Sequence, residues 1–177
     1  MNRFLLTVSL CAVLGACATV PSAPPPPPPE APPAPAAPFH AEDFAWSAQR
    51  GTAAIRGQTN FSQGGVHYSC AGQPVVLTPD APFSRSRMVA LYGSDERAAL
   101  PVDEVRSRQA NRPSGDYSAF VRKAVCDAQD RFGFQGLPAG GWYVIVVAQP
   151  PGGGAGQMAL MRHVRTRAGA ALPVTLD

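Results

Sequence analysis

Eleven of the chain's 20 prolines fall within residues 21–38, six of them in the unbroken run 24–29, and this tract divides the 177-residue chain into three parts. Its other residues are almost all alanine, so it has neither the apolar side chains for a core nor the N–H donors for a sheet ladder. Such a tract favours polyproline II at about 3.1 Å per residue and reads as a stiff, disordered stalk of up to roughly 55 Å. A docking peptide for a proline-recognising groove is the sharper alternative, but the flanking arginines such ligands often use are missing. Beyond the tract, residues 39–177 suffice for one domain with its own core. The 20 prolines and 17 glycines argue against a helical bundle or coiled coil. A formal charge of only +3 argues against a nucleic-acid partner.

Ahead of the tract, one positive residue, Arg3, precedes the apolar run 4–14, which is too short to span a bilayer and matches the core of a signal peptide. Leu14-Gly15-Ala16-Cys17 closes it and resembles the bacterial lipobox. That resemblance implies a signal peptide over 1–16 and a diacylated Cys17 that anchors residues 17–38 to a membrane. Ala18, where an aspartate would favour retention in the inner membrane, implies an extracytoplasmic protein sorted to the outer membrane of a Gram-negative bacterium. Several acyl chains are needed because a single one gives only marginal membrane binding. An ordinary secretory signal cut near Gly15-Ala16 is the alternative.

With Cys11 in the leader and Cys17 lipidated, Cys70 and Cys126 remain in an oxidising compartment, and the expectation is one disulfide between them. The competing readings are two free thiols, or a metal site in which His67 and Cys70 face Cys126 and Asp127.

Residues 39–177 carry short apolar clusters of period two, bounded by Gly, Pro, Asn and Asp, the pattern of strands and turns. Strands are expected at 52–58, 74–78, 119–128, 132–134, 142–148, 158–166 and 172–176, with 142–148 apolar enough to be buried on both faces. Residues 126–144, CDAQDRFGFQGLPAGGWYV, resemble the carboxypeptidase regulatory-like module, in which a strand ends in D-x-x-G-x-F and L-P-x-G-x-Y leads into a central strand. Residues 51–57, 75–79 and 173–176 resemble that family's first, second and last strands. The resemblance implies an all-β fold: a small Greek-key-like β-sandwich of the transthyretin-like or Cna-B type. Asp130 stands where the family usually has glycine.

The clearest departure from the family is a partly helical insertion at about 82–118. Pro82 suits a first helical position, Ser84 or Asp80 is placed to cap it, and Phe83, Met88, Val89, Leu91 and Tyr92 form a stripe that Gly93 ends. A second short turn is expected at 102–108 and a loop at 111–115. The stripe serves either to cover the sheet or to present Arg85, Arg87 and Tyr92, with the following loop, to a partner or ligand.

Motifs for hydrolysis, zinc binding or phosphate binding are missing, and none calls for a cofactor. His40, Glu42 and Asp43 could seed a metal site but read as solvated linker residues, and the glycine-rich stretch 152–156 reads as a hairpin connection. Arg162, His163, Arg165 and Arg167 form a basic stretch that either protects a sheet edge or contacts anionic envelope polymers. Trp46, outside any periodic run, is the expected exposed sugar platform, and Trp142 is expected in the core. The sequence therefore points to a non-catalytic envelope module, a scaffold held to the membrane by its lipid and binding an envelope protein. A glycan- or cell-wall-binding module is the alternative, and a hydrolase is less favoured.

Overall fold

The computed structural model describes residues 36–111 and 114–177. The expected signal peptide, Cys17 and most of the proline-rich tract lie outside the described residues, as do residues 112 and 113 of the expected loop. The described chain forms ten strands: β1 (Ala53–Thr59), β2 (Phe61–Gln63), β3 (Val66–Tyr68), β4 (Pro74–Pro79), β5 (Arg97–Pro101), β6 (Arg122–Val125), β7 (Arg131–Leu137), β8 (Gly140–Ala148), β9 (Met158–Thr166) and β10 (Ala171–Leu176). They make a three-stranded sheet in the order β10-β1-β7, a five-stranded sheet in the order β5-β9-β8-β4-β6, and the small hairpin β2-β3.

The two larger sheets form a β-sandwich because alternate residues of each strand are apolar. Ile55 of β1, Phe132 and Phe134 of β7 and Val174 of β10 meet Leu77 of β4, Trp142 and Val144 of β8 and Leu160 of β9 in one buried core. Gly57 pairs with Phe132, and a Cβ at Gly57 would lie 2.0 Å from that ring, so glycine lets the phenyl ring cross the strand. As the sequence predicts, β8 is central and almost wholly buried, paired with β4 on one side and β9 on the other.

The insertion supplies a third layer. Helices α1 (Pro82–Tyr92) and α2 (Val102–Ser107) bury Met88, Leu91, Tyr92, Val102 and Val105 against Tyr143 of β8 and Ala159 and Met161 of β9, on the large sheet's outer face. Between them β5 extends that sheet by pairing antiparallel with β9. Gly93, in the left-handed region at φ 73°, closes α1 and donates its N–H to Val89 at 2.8 Å. Neither Ser84 nor Asp80 is the cap. That residue is Ala81, and Ser84 acts from inside the first turn, its hydroxyl accepting the Ala81 N–H (2.8 Å) and donating to the Pro79 carbonyl (2.6 Å).

One further expectation is corrected. The strand expected over 119–128 shrinks to β6, because Ser118–Phe120 forms a 3-10 turn that carries Phe120 against Phe44. At its other end Cys126 is bonded to Cys70, and the Asp127 carboxylate accepts the N–H groups of Gln129 and Arg131 to begin the next turn. A 3-10 segment, Ala41–Ala48, brings Phe44 into an aromatic cluster with Phe83, Phe39, Tyr117 and Phe120.

Candidate functional site

One open edge of this fold lies where β9 turns into β10. β9 pairs with β8 along its length, but β5 accompanies it only to Arg162, followed by one bond from the His163 N–H to the Glu96 carbonyl. Residues 164–166 therefore have a ladder partner on one side only. The chain then crosses to the other sheet through a tight turn in which the Ala170 N–H bonds the Arg167 carbonyl and Gly169 adopts φ 72°. The Gly169 N–H is held by Thr52 Oγ1 at 2.9 Å. β10 pairs with β1 alone. Two strand edges from opposite sheets thus face each other across an open cleft of about 490 Å³, walled by residues 162–165 and 172–175. A second cleft of about 400 Å³ shares Arg165 and Leu172 and extends the groove past Arg167.

Charge is distributed unevenly along this groove. Arg162 bridges the two sheets, donating to the Thr175 carbonyl and to Asp177 Oδ1 (3.4 Å), so its charge is used to close the sandwich rim. Arg165 and Arg167 are exposed and have no carboxylate within ion-pair distance among the described residues. The opposite wall offers Leu172, Pro173, Val174 and Thr175 and carries no charge.

Behind the groove wall stands a buried polar cluster. Asp80, with its side chain only 7% exposed, accepts from His163 Nε2 (3.0 Å), Arg85 Nη2 (2.9 and 3.1 Å) and the Tyr143 hydroxyl (3.4 Å). The His163 ring packs 5.0 Å from that of Tyr143, and its Nδ1 lies 3.8 Å from Glu96. Gly141 makes room for this: a Cβ there would lie 2.7 Å from Asp80 Oδ2 and 3.0 Å from His163 Nε2. Burial alone would raise the Asp80 pKa, but the His163 hydrogen bond and the Arg85 charge outweigh it and hold the carboxyl below its ordinary value. Burial, with the Asp80 charge, raises Tyr143 above its ordinary value, so it remains a neutral donor.

The sign for stability follows from that direction. A carboxyl with a lowered folded-state pKa stabilises fully above its unfolded value near 3.8, and this contribution is lost as pH falls through the lower folded value. Asp80→Asn is therefore expected to flatten the loss of stability below pH 4, while wild type keeps a steeper acid limb. Urea unfolding across pH 2–7 checks this, and parallel acid limbs for the two proteins would refute it.

The residues singled out in the sequence are dispersed. Trp46 is half-buried, its ring edge-on to Trp142 at a centroid distance of 4.9 Å and so close to Gly140 that a Cβ there would meet it at 2.3 Å. It is part of the inner core wall, which corrects its reading as an exposed platform. Tyr92 is buried beneath the outer layer, and burial pushes its hydroxyl up to about 12. Arg85 is tied to Asp80, and Arg87 lies over the Tyr117 ring at 5.4 Å. A smaller cleft of about 330 Å³ adjoins Arg87, Tyr117 and Lys123, where the Tyr117 ring also stacks on Phe44. Cys70 and Cys126 form the expected disulfide, which removes both thiolates from the alternative metal cluster. His67 instead lies 3.2 Å from Asp130. The basic stretch 162–167 was legible as alternation along one strand, whereas its opposing wall on β10 carried no sequence signal.

No family model matches the chain, and no curated protein matches it. Among solved structures, the chain is similar to a Pseudomonas aeruginosa crystal structure described, provisionally, as that of a carbohydrate binding protein. The TM-score is 0.54 at 20% identity, covering 78% of this chain and 96% of the other. At that identity the likeness is one of fold.

Proposed function

We propose that this protein is a non-catalytic carbohydrate-binding module of the cell envelope, carried on its proline-rich stalk and tethered to the outer membrane through lipid on Cys17. The observation that supports this reading best is the groove between β9 and β10. It is open and bordered by strand edges whose backbone groups and arginines can bond ring hydroxyls or substituents. The description given to the Pseudomonas aeruginosa protein of similar fold points the same way.

Several residues that the scaffold reading would offer to an envelope protein at the insertion are engaged within the fold. Met88, Leu91 and Tyr92 of α1 pack on the outer face of the sheet and Arg85 pairs with Asp80, whereas Val89 of the expected stripe is exposed and Phe83 packs instead in the aromatic cluster with Phe44.

The full chain is expected to sediment with purified envelope polysaccharide, and backbone amide shifts on titration with soluble fragments are expected at residues 162–175. Shifts centred instead on α1 would move the site to the insertion, and no sedimentation with any envelope glycan would refute carbohydrate binding.

A further inference from the structure

We infer that the β9–β10 groove selects anionic glycans, polymers bearing carboxylate or phosphate groups, through Arg165 and Arg167. This rests on the carbohydrate-binding reading of the same groove and specifies the class of its ligand.

Three observations carry it. First, Arg165 and Arg167 are exposed, lie on one side of the strand and its continuation, and lack an acidic neighbour within ion-pair distance among the described residues, while nearby Arg162 and His163 are both engaged by carboxylates. Alternate residues of an extended chain stand about 7 Å apart, so the two guanidinium groups present a pair of charges along the groove. Second, the facing wall carries no acidic residue, so no protein group competes with a ligand for them. Third, neither cleft is lined by Trp, Tyr or Phe. A neutral sugar held by a protein commonly stacks its apolar face on such a ring, and here the recognition left to the groove is ionic and hydrogen-bonding. A guanidinium pairs its parallel N–H groups with the two oxygens of a carboxylate or phosphate, a geometry a neutral hydroxyl does not offer.

The test uses the full chain with four immobilised polymers: polygalacturonate for carboxylate, a phosphomannan for phosphate, dextran as the neutral glycan, and polyglutamate as an acidic polymer that is not a glycan. Binding to polygalacturonate or phosphomannan is expected to exceed that to dextran and polyglutamate at least tenfold. It is expected to fall at least tenfold in Arg165→Ala/Arg167→Ala, with the unfolding temperature unchanged. Raising salt to about 0.5 M should weaken it strongly, since exposed charges are then screened over a few ångströms. Whichever acidic polymer binds more tightly identifies the substituent.

Equal binding of dextran and the acidic glycans, unaffected by the double substitution, would overturn the anionic specificity and leave carbohydrate binding standing. Equal binding of polyglutamate and polygalacturonate would overturn the glycan assignment and leave a general polyanion surface. Failure to bind any polymer would overturn both.

Discussion

Replacing Cys70 and Cys126 together by alanine is expected to lower the unfolding free energy by about 4 kcal/mol. The bridge joins residues 56 apart in sequence, and the chain-entropy account of closing a loop of that length yields a figure of this size. The native state has reason to miss the bond as well. Both cysteines are buried in the inner core, and the disulfide ties the chain after β3 to the chain after β6, where Cys126 also exchanges backbone hydrogen bonds with Gly72 and Gln73. For a domain of this size the loss corresponds to a fall of about 10–15 °C in unfolding temperature. Calorimetry of the double variant, and of wild type with and without reductant, checks it. A fall of less than about 1 kcal/mol would mean that the unfolded chain is constrained by something other than this bond.

The second large effect belongs to Asp130, the position where the resembled family has glycine. Its backbone stands at φ 60°, the left-handed conformation that favours glycine. Its carboxylate explains why aspartate is accommodated: Oδ1 accepts from the Ser69 hydroxyl (2.6 Å) and from the backbone N–H groups of Cys70 (2.7 Å) and Ala71 (3.1 Å). Burial alone would raise its pKa, yet the bonds from Ser69, His67 and these amides hold it below the ordinary value. The side chain thus fixes the segment leading into the disulfide. Asp130→Ala leaves the buried Cys70 N–H without its acceptor and keeps a strained φ, for an expected loss of about 4 kcal/mol. Asp130→Gly relieves the strain but not the lost bonds and should cost about 2–3 kcal/mol, whereas Asp130→Asn keeps one acceptor and should cost about 1 kcal/mol. Urea denaturation of the three variants ranks them. A glycine variant as stable as wild type would show that the position demands only a backbone conformation.

Much of the fold was legible because the signals are local. β9 occupies the residues predicted for it, β8 is central as its apolar run implies, and α1 begins at Pro82 and stops before Gly93. β5 and the β2-β3 hairpin lack strong local signals or depend on a distant partner. β5, with the sequence RAALP, has little strand propensity and is extended because β9 offers it an edge. The β2-β3 hairpin turns at Gly64-Gly65, both at positive φ, between strands too short to show a period. Trp46 misled for a related reason: an aromatic outside a periodic run looks solvent-facing until a 3-10 segment lays it against Trp142.

The candidate site divides the same way. Alternation along 162–167 and the pairing of Cys70 with Cys126 could be argued from sequence, since strand period, turn residues and cysteine arithmetic act through nearest neighbours or through composition. Only the tertiary structure decided which face stays open. It placed Met88, Leu91 and Tyr92 of α1 over the outer sheet, matched Arg85 and His163 to a buried Asp80, and left Arg165 and Arg167 with no carboxylate within ion-pair distance among the described residues. His163 and Asp80 stand 83 positions apart, and no local window of sequence contains both partners.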